Sequence, residues 1–331
     1  MKRTGPLSMT MVAALAGLMT ALPALAKDTL SYAYQLDPTF DAAVWALRNG
    51  KVTSDLIDVE LNALTIPALI QATLTKQYDV IQSDTIAVPR SAARGLDLTI
   101  MSTAIRYSQT GIGHNVYVMA GSPAQSFPDL KGQKIGVPSL GSAGFHMMRM
   151  WASEQFGVNT DVASGDFQFV ETAPSALITG LQTGQFDAGT MLYSQAYQAG
   201  TSSEFRAIAT PARAMFELWG VQMIPSVNVA YPEKIAENPE NYKEFNRLLR
   251  ESVLYLQANP DEVLGAVAAE SKISPDFFKV VFRDYAEIPA NMTEGDIASI
   301  AKLWELSVKH GVLQGEAPDV RDFLSADIVT E

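Results

Sequence analysis

The feature that most constrains this chain is an internal repeat. Residues 65–79 lie over residues 172–187 with one inserted residue, about 107 positions further on. Pro67 and Pro174 each sit in a first helical turn, where the missing N–H of proline costs nothing. Leu69-Ile70 and Leu177-Ile178 begin an apolar helix face, and Gln77-Tyr78-Asp79 and Gln185-Phe186-Asp187 lead into a strand. The segments in front of these share a plan as well. Residues 29–33 read as a short strand, followed by the polar loop 34–38 and an amphipathic helix carrying Phe40, Val44, Trp45 and Leu47, which Asn49-Gly50 stops. Residues 133–137 read as a strand, followed by a loop of small residues and a helix that starts near Ser142, carries Trp151 and ends at Gly157. Two copies of one β/α plan argue for two similar lobes. Their alternation of strands and helices predicts the α/β class, with a parallel or mixed sheet flanked by helices in each lobe. The 331 residues also exceed what one core usually organises.

Lys2 and Arg3 precede an uncharged run over residues 4–26 with its apolar centre at 11–22, and Ala24-Leu25-Ala26 supplies the small residues of a cleavage site. This predicts a secretory signal peptide over residues 1–26, cut after Ala26; the apolar centre is short for a membrane span. There is no cysteine, which excludes a lipid-modified cysteine at the cut, any disulfide and any thiolate metal site. The expectation is a periplasmic protein that is not a lipoprotein. Cutting removes two positive charges and no negative one, taking the formal net charge from −12 to −14. So acidic a surface disfavours nucleic acid and anionic membrane as partners.

Residues 80–84 and 98–102 read as further strands of the first lobe, 115–119 as the segment leaving it, and 221–224 with 227–230 as the return. Beyond Pro232 the pattern turns helical, periodic over 242–257, 277–285 and 297–310 and punctuated by Pro260, Pro275 and Pro289. The junction after residue 137 is the most suggestive stretch for chemistry. Ser139, Gly141 and Ser142 leave the first N–H groups of a helix open to an oxygen-rich or anionic group, although the same residues also serve as a plain helix cap.

Asp129-Leu130-Lys131-Gly132-Gln133-Lys134-Ile135-Gly136-Val137-Pro138 with Gly141-Ser142, the stretch 176–188 ending Gly184-Gln185-Phe186-Asp187-Ala188, the signal peptide and the helical last third carry a family resemblance. Together they resemble a periplasmic substrate-binding protein of an ABC importer, in the family that includes the sulfonate, nitrate, taurine and thiamine-precursor binding proteins. The resemblance covers essentially all of residues 28–320. It implies a two-lobe type II periplasmic binding fold with two crossings, in the neighbourhoods of Asn115 and Met223. Lobe 1 would comprise residues 27–115 and 225–331 with the C-terminal helices, and lobe 2 residues 116–224. A monomer closing on a small ligand and delivering it to an ABC permease in the inner membrane is the implied function, with no cofactor and no metal. A ligand-sensing periplasmic protein would share the same fold and cleft.

Candidate ligand contacts follow from where the strands end. They are Gln35 and Phe40 after the first strand, Ser83 and Asp84 after the strand that closes the first repeat, and Arg106 near the exit from the lobe, beside Tyr107. From the second lobe come Ser139, Gly141, Ser142 and Tyr193. Several have structural alternatives: Asp84 can cap a helix, Arg106 can form an ion pair within the protein, and Phe40 and Tyr193 can be core aromatics. If Arg106 faces the cleft it suits a carboxylate, sulfonate or phosphonate; if Asp84 does, the ligand should carry an amine or ring nitrogen, and an aromatic heterocycle would stack on Phe40 or Tyr193. A secreted enzyme on the same fold is the rival class. His114, His146 and His310 are scattered with no metal-ligand spacing, and Gly111-Ile112-Gly113 lacks the third glycine of a dinucleotide site, so no acid, base and nucleophile set assembles.

Overall fold

In the computed structural model, which describes Met1, residues 27–289 and residues 291–326, the two repeat copies become the cores of two sheets. The expected signal peptide lies outside the described residues. The first copy runs β1 (Asp28–Gln35), α1 (Pro38–Arg48), β2 (Ile57–Leu64), α2 (Ile66–Thr75) and β3 (Val80–Asp84). After α3 (Ala87–Ala92) and β4 (Thr99–Tyr107) the chain crosses into β5 (His114–Met119). The second copy runs β6 (Lys134–Val137), α4 (Ala143–Phe156), β7 (Gln168–Glu171), α5 (Leu177–Gln182) and β8 (Ala188–Leu192). Then come α6 (Tyr193–Thr201), β9 (Phe205–Ala209) and α7 (Pro211–Trp219), before β10 (Ser226–Ala230) returns to the first sheet. The last third is helical: α8 (Pro232–Glu237), α9 (Pro239–Ala258), α10 (Pro260–Ser271), α11 (Pro275–Phe278), the two-residue strand β11 (Ala286–Glu287) and α12 (Glu294–Lys309).

The sheets are ordered β11-β4-β10-β3-β1-β2 and β7-β6-β8-β5-β9. Taken from the β2 edge, β2-β1-β3-β10-β4 matches β7-β6-β8-β5-β9 strand for strand. In each, three parallel strands are followed by one that runs antiparallel to both neighbours. That fourth strand is supplied each time by chain that has just arrived from the other sheet, through residues 108–113 and 210–225. Asn115 lies inside β5 and not in the first crossing, whereas Met223 lies in the second.

The repeat extends to its hydrogen bonds. The Asp79 carboxylate accepts the Ser31 N–H on β1 at 2.9 Å, and the Asp187 carboxylate accepts the Lys134 N–H on β6 at 2.9 Å. The Asp79 and Asp187 N–H groups donate back to the carbonyls of the same two residues. The aspartate of each Gln-aromatic-Asp motif therefore pins the first strand of its unit to the last. The aromatic partner decides a glycine: a Cβ on Gly136 would lie 2.6 Å from the Phe186 ring, so only glycine lets that ring seat on β6.

The C-terminal helices bind the halves together. Helix α9 packs on α1, where Ser252 Oγ donates to the Ala43 carbonyl at 2.6 Å. Helix α12 begins with a reciprocal cap between Thr293 and Asp296. Its buried Trp304 donates to the Thr85 carbonyl at 3.0 Å, and its far end reaches Glu154 on α4. No helix among the described residues is long and apolar enough to cross a membrane.

Candidate functional site

The carboxyl ends of the parallel strands of both sheets face each other, and the space between them is a narrow cavity of about 50 Å³. From the first sheet, Gln35 ends β1, Ser83 and Asp84 end β3 and Tyr107 ends β4; Ile66, Leu69 and Ile70 come from the start of α2. From the second come Ser142, Ala143 and Gly144 at the start of α4, with Leu192 and Tyr193 at the end of β8. In an open α/β sheet this edge is where loops converge and helix N-termini point, so the position follows from topology.

Direct contacts join the walls. Ser194 Oγ, on the second lobe, donates to Asp37 Oδ2 at 2.7 Å, while the other oxygen of Asp37 caps α1 through the Thr39 N–H at 2.9 Å. Burial pushes the Asp37 carboxyl up, against these hydrogen bonds. The Phe40 ring meets Tyr193 edge-on at 5.9 Å. A Cβ on Gly144 would fall 2.9 Å from Tyr107 Oη, so the start of α4 approaches the opposite wall too closely for any side chain. Tyr193 has φ +41°, left-handed backbone rare for a tyrosine, held by its N–H donating to the Gly113 carbonyl at 3.0 Å.

Asp84 is the charged group of this cavity. Its Oδ1 accepts the Ile86 N–H at 2.8 Å, an Asx turn that leads into α3, and its Oδ2 is buried without a hydrogen-bond partner. One oxygen is used in this turn just ahead of α3, whose N-cap is Ile86, and the side chain lines the cavity. Burial pushes its carboxyl up to about 6, opposed by the Arg90 guanidinium and by the N–H groups of Ile86, Ala143 and Ala87. Ala143 is the first residue of α4, so the positive end of that helix already faces a carboxylate from the opposite wall. The nearby histidines stay neutral: burial depresses His114 to about 4, and burial with Arg90 and Arg149 depresses His146 to about 3.

The structure brings together Gln35, Ser83, Asp84, Ser142 and Tyr193 of the sequence candidates. Phe40 is not in the lining: it is a buried aromatic packed behind Tyr193. Ser139 and Gly141 stand behind Ser142, where they build the turn: the Ser139 carbonyl accepts Ser142 Oγ at 3.1 Å and its Oγ accepts the Gly141 N–H at 3.3 Å. Arg106 is elsewhere. On β4 successive side chains point to opposite faces, and Tyr107 takes the cleft side. The Arg106 guanidinium is clasped by both oxygens of Asp296, with Nη2 at 2.6 Å, and lies 3.5 Å from Glu287. It is spent inside the first lobe. Sequence reasoning missed Gln82, whose amide bridges the Gln35 N–H and Ser226 Oγ, as well as Asp37 and Ser194. Asp37-Pro38 is legible as a helix cap; that its second oxygen reaches the other lobe is not.

Comparison with known proteins identifies the fold and the family. Proteins of Brucella abortus, Brucella suis and Brucella melitensis that carry the provisional name of binding protein are 29% identical over 162 residues, 49% of this chain and 48% of theirs. The chain thus spans about half the length of the curated relatives it matches. Among solved structures, the alkanesulfonate-binding protein SsuA of Xanthomonas axonopodis pv. citri bound to MOPS superposes with a TM-score of 0.70 at 15% identity, covering 91% of this chain and 99% of that one. The periplasmic aliphatic sulphonate binding protein SsuA of Escherichia coli gives 0.66 at 15%, covering 92% and 94%. At these identities the likeness is one of fold, and the fold is that of the periplasmic binding proteins. The family model described as NMT1/THI5 like matches residues 55–263, which include most of the first repeat, all of the second and both crossings, and the chain belongs to that family.

Proposed function

We propose that this chain is the solute-binding component of an ABC import system. In this reading it is exported to the periplasm, cut after Ala26, and closes lobe 1 (residues 27–115 and 225–331) against lobe 2 (residues 116–224) on a small organic ligand for delivery to an inner-membrane permease. The observation that carries it is the cavity built from strand ends of both sheets. A ligand held there touches both walls at once, and only such two-sided contact shifts an open–closed balance.

Among the ligand classes, the lining favours a nitrogen heterocycle or amine over a sulfonate or carboxylate. The cavity has no lysine or arginine in its lining, and the N-terminus of α4 faces Asp84. A ligand N–H donated to the unpartnered Asp84 Oδ2 would complete its hydrogen bonding, with Tyr107 and Tyr193 alongside.

Native mass spectrometry of residues 27–331, purified gently and again after unfolding and refolding, tests the reading. The expected result is an excess mass that disappears on refolding and belongs to a nitrogen-bearing small molecule. Added back at roughly 100 times its Kd, that molecule should stabilise the protein by about 2.7 kcal/mol. A bare mass both times, with no thermal shift from sulfonates, carboxylates, amines or heterocycles, would contradict a ligand-binding role.

A further inference from the structure

A second and larger cavity, of about 320 Å³, lies within the first lobe on the sheet face covered by α1 and α9. Its volume is in the range of small-molecule sites. Polar groups on its floor are satisfied: Tyr32 Oη donates to Asn228 Oδ1 at 2.8 Å, and Asn228 Nδ2 donates to Ser102 Oγ at 2.9 Å. Aromatic and aliphatic side chains, among them Phe40, Val44, Met101 and Val253, make up much of the wall. Phe40 lines this cavity and its ring meets Tyr193, which lines the cleft.

The charges are uneven. Helix α9 presents Glu240, Lys243, Glu244, Arg247 and Arg250 to the cavity, three bases against two acids. Arg247 is held by Glu244 at 2.6 Å and by Glu251 at 2.7 Å, and Lys243 lies 3.9 Å from Glu240. Arg250 is half-buried and has no hydrogen-bond or ion-pair partner among the described residues. A guanidinium presents a planar fork of donors that matches a carboxylate, and this one is left available to a ligand.

We propose that this cavity is a binding site, separate from the cleft, for a small apolar monoanion: a carboxylate on an aromatic or aliphatic body, with the carboxylate on Arg250 and the body among the aromatic and methionine side chains. The inference does not depend on the transport reading, because none of its residues lines the cleft cavity. Calorimetric titration of the whole purified chain with phenylacetate and with octanoate tests it, using phenylacetamide as the uncharged counterpart. Saturable binding of at least one acid is expected, with phenylacetamide and the Arg250→Gln variant each weaker by about tenfold or more, and Arg250→Lys intermediate. Ala104→Leu, which fills the cavity from β4, should abolish acid binding while the melting temperature stays near that of the parent. Absence of saturable binding by either acid, or binding unchanged by Arg250→Gln and Ala104→Leu, would overturn the proposal.

Discussion

At the scale of the residue, two neighbouring strand ends decide what the cleft can recognise. Asp84 has its carboxyl raised by burial from 3.8 to about 6, so the proton it keeps in the folded state stabilises the fold below pH 3.8, and that contribution is lost as the pH rises through 6. Asp84→Asn is therefore expected to be more stable than the parent at pH 8, on the order of 2 kcal/mol, the gain shrinking below pH 6 and vanishing below 3.8. Denaturant titrations across that range check it; a gain independent of pH would contradict the assignment. Arg106 gives the opposite test. Removing it leaves Asp296 buried without its counter-charge, so Arg106→Ala should cost about 3 kcal/mol of stability. The affinity for whatever ligand the cleft carries should be unchanged, as titration of parent and variant side by side would measure. Composition and strand position brought both residues to notice from the sequence. Which of Arg106 and Tyr107 faces the cleft depends on the pleat of β4, and a single-residue step in register exchanges them.

At the scale of the element, the junction from β6 into α4 was the most legible part of the chain. Ser142 caps the helix, accepting the Phe145 N–H at 3.3 Å, and Gly157 ends it with φ +64°, as Ser/Gly punctuation predicts. Strands β2, β7 and β9 were not legible. β2 (Ile57–Leu64) is an edge strand whose alternate positions carry Asp58, Glu60 and Asn62, which reads as polar loop until eight residues pair in parallel with β1. Nor could spacing alone say what the start of α4 faces. An anion-binding role was one expectation; the Asp84 carboxyl faces that position from the other lobe. Gly144 is what permits the approach, so Gly144→Ala should hold the lobes apart at Tyr107. Its ligand-free melting temperature is expected to stay near that of the parent, while ligand affinity falls by about tenfold, the equivalent of roughly 1.4 kcal/mol of lost closure. Calorimetric titration of the variant gives the number.

At the scale of the whole molecule, closure is held at two places. In the cleft, Asp37 with Ser194 and Phe40 with Tyr193 join the walls. Far from it, Glu154 on α4 accepts Lys309 Nζ at 2.5 Å and lies 2.9 Å from His310 Nε2, both from the end of α12, while Trp219 Nε1 donates to it at 2.9 Å from within its own lobe. Against the burial that raises it, those partners hold the Glu154 carboxyl down to about 2. Glu154→Gln should loosen this clasp and, in the absence of ligand, favour the open form, seen as a larger radius of gyration in solution scattering. The central claim is that two repeat-related lobes close on a small molecule. Because the chain has no cysteine, single labels can be introduced at the exposed, repeat-equivalent positions Thr75 and Thr183 without removing anything. Pulsed electron-spin distance measurement on that pair, in refolded ligand-free protein and again with the co-purifying molecule restored, tests the claim most directly. A broad distribution that shortens and narrows on adding the molecule is expected; one unchanged distribution in both states would contradict closure.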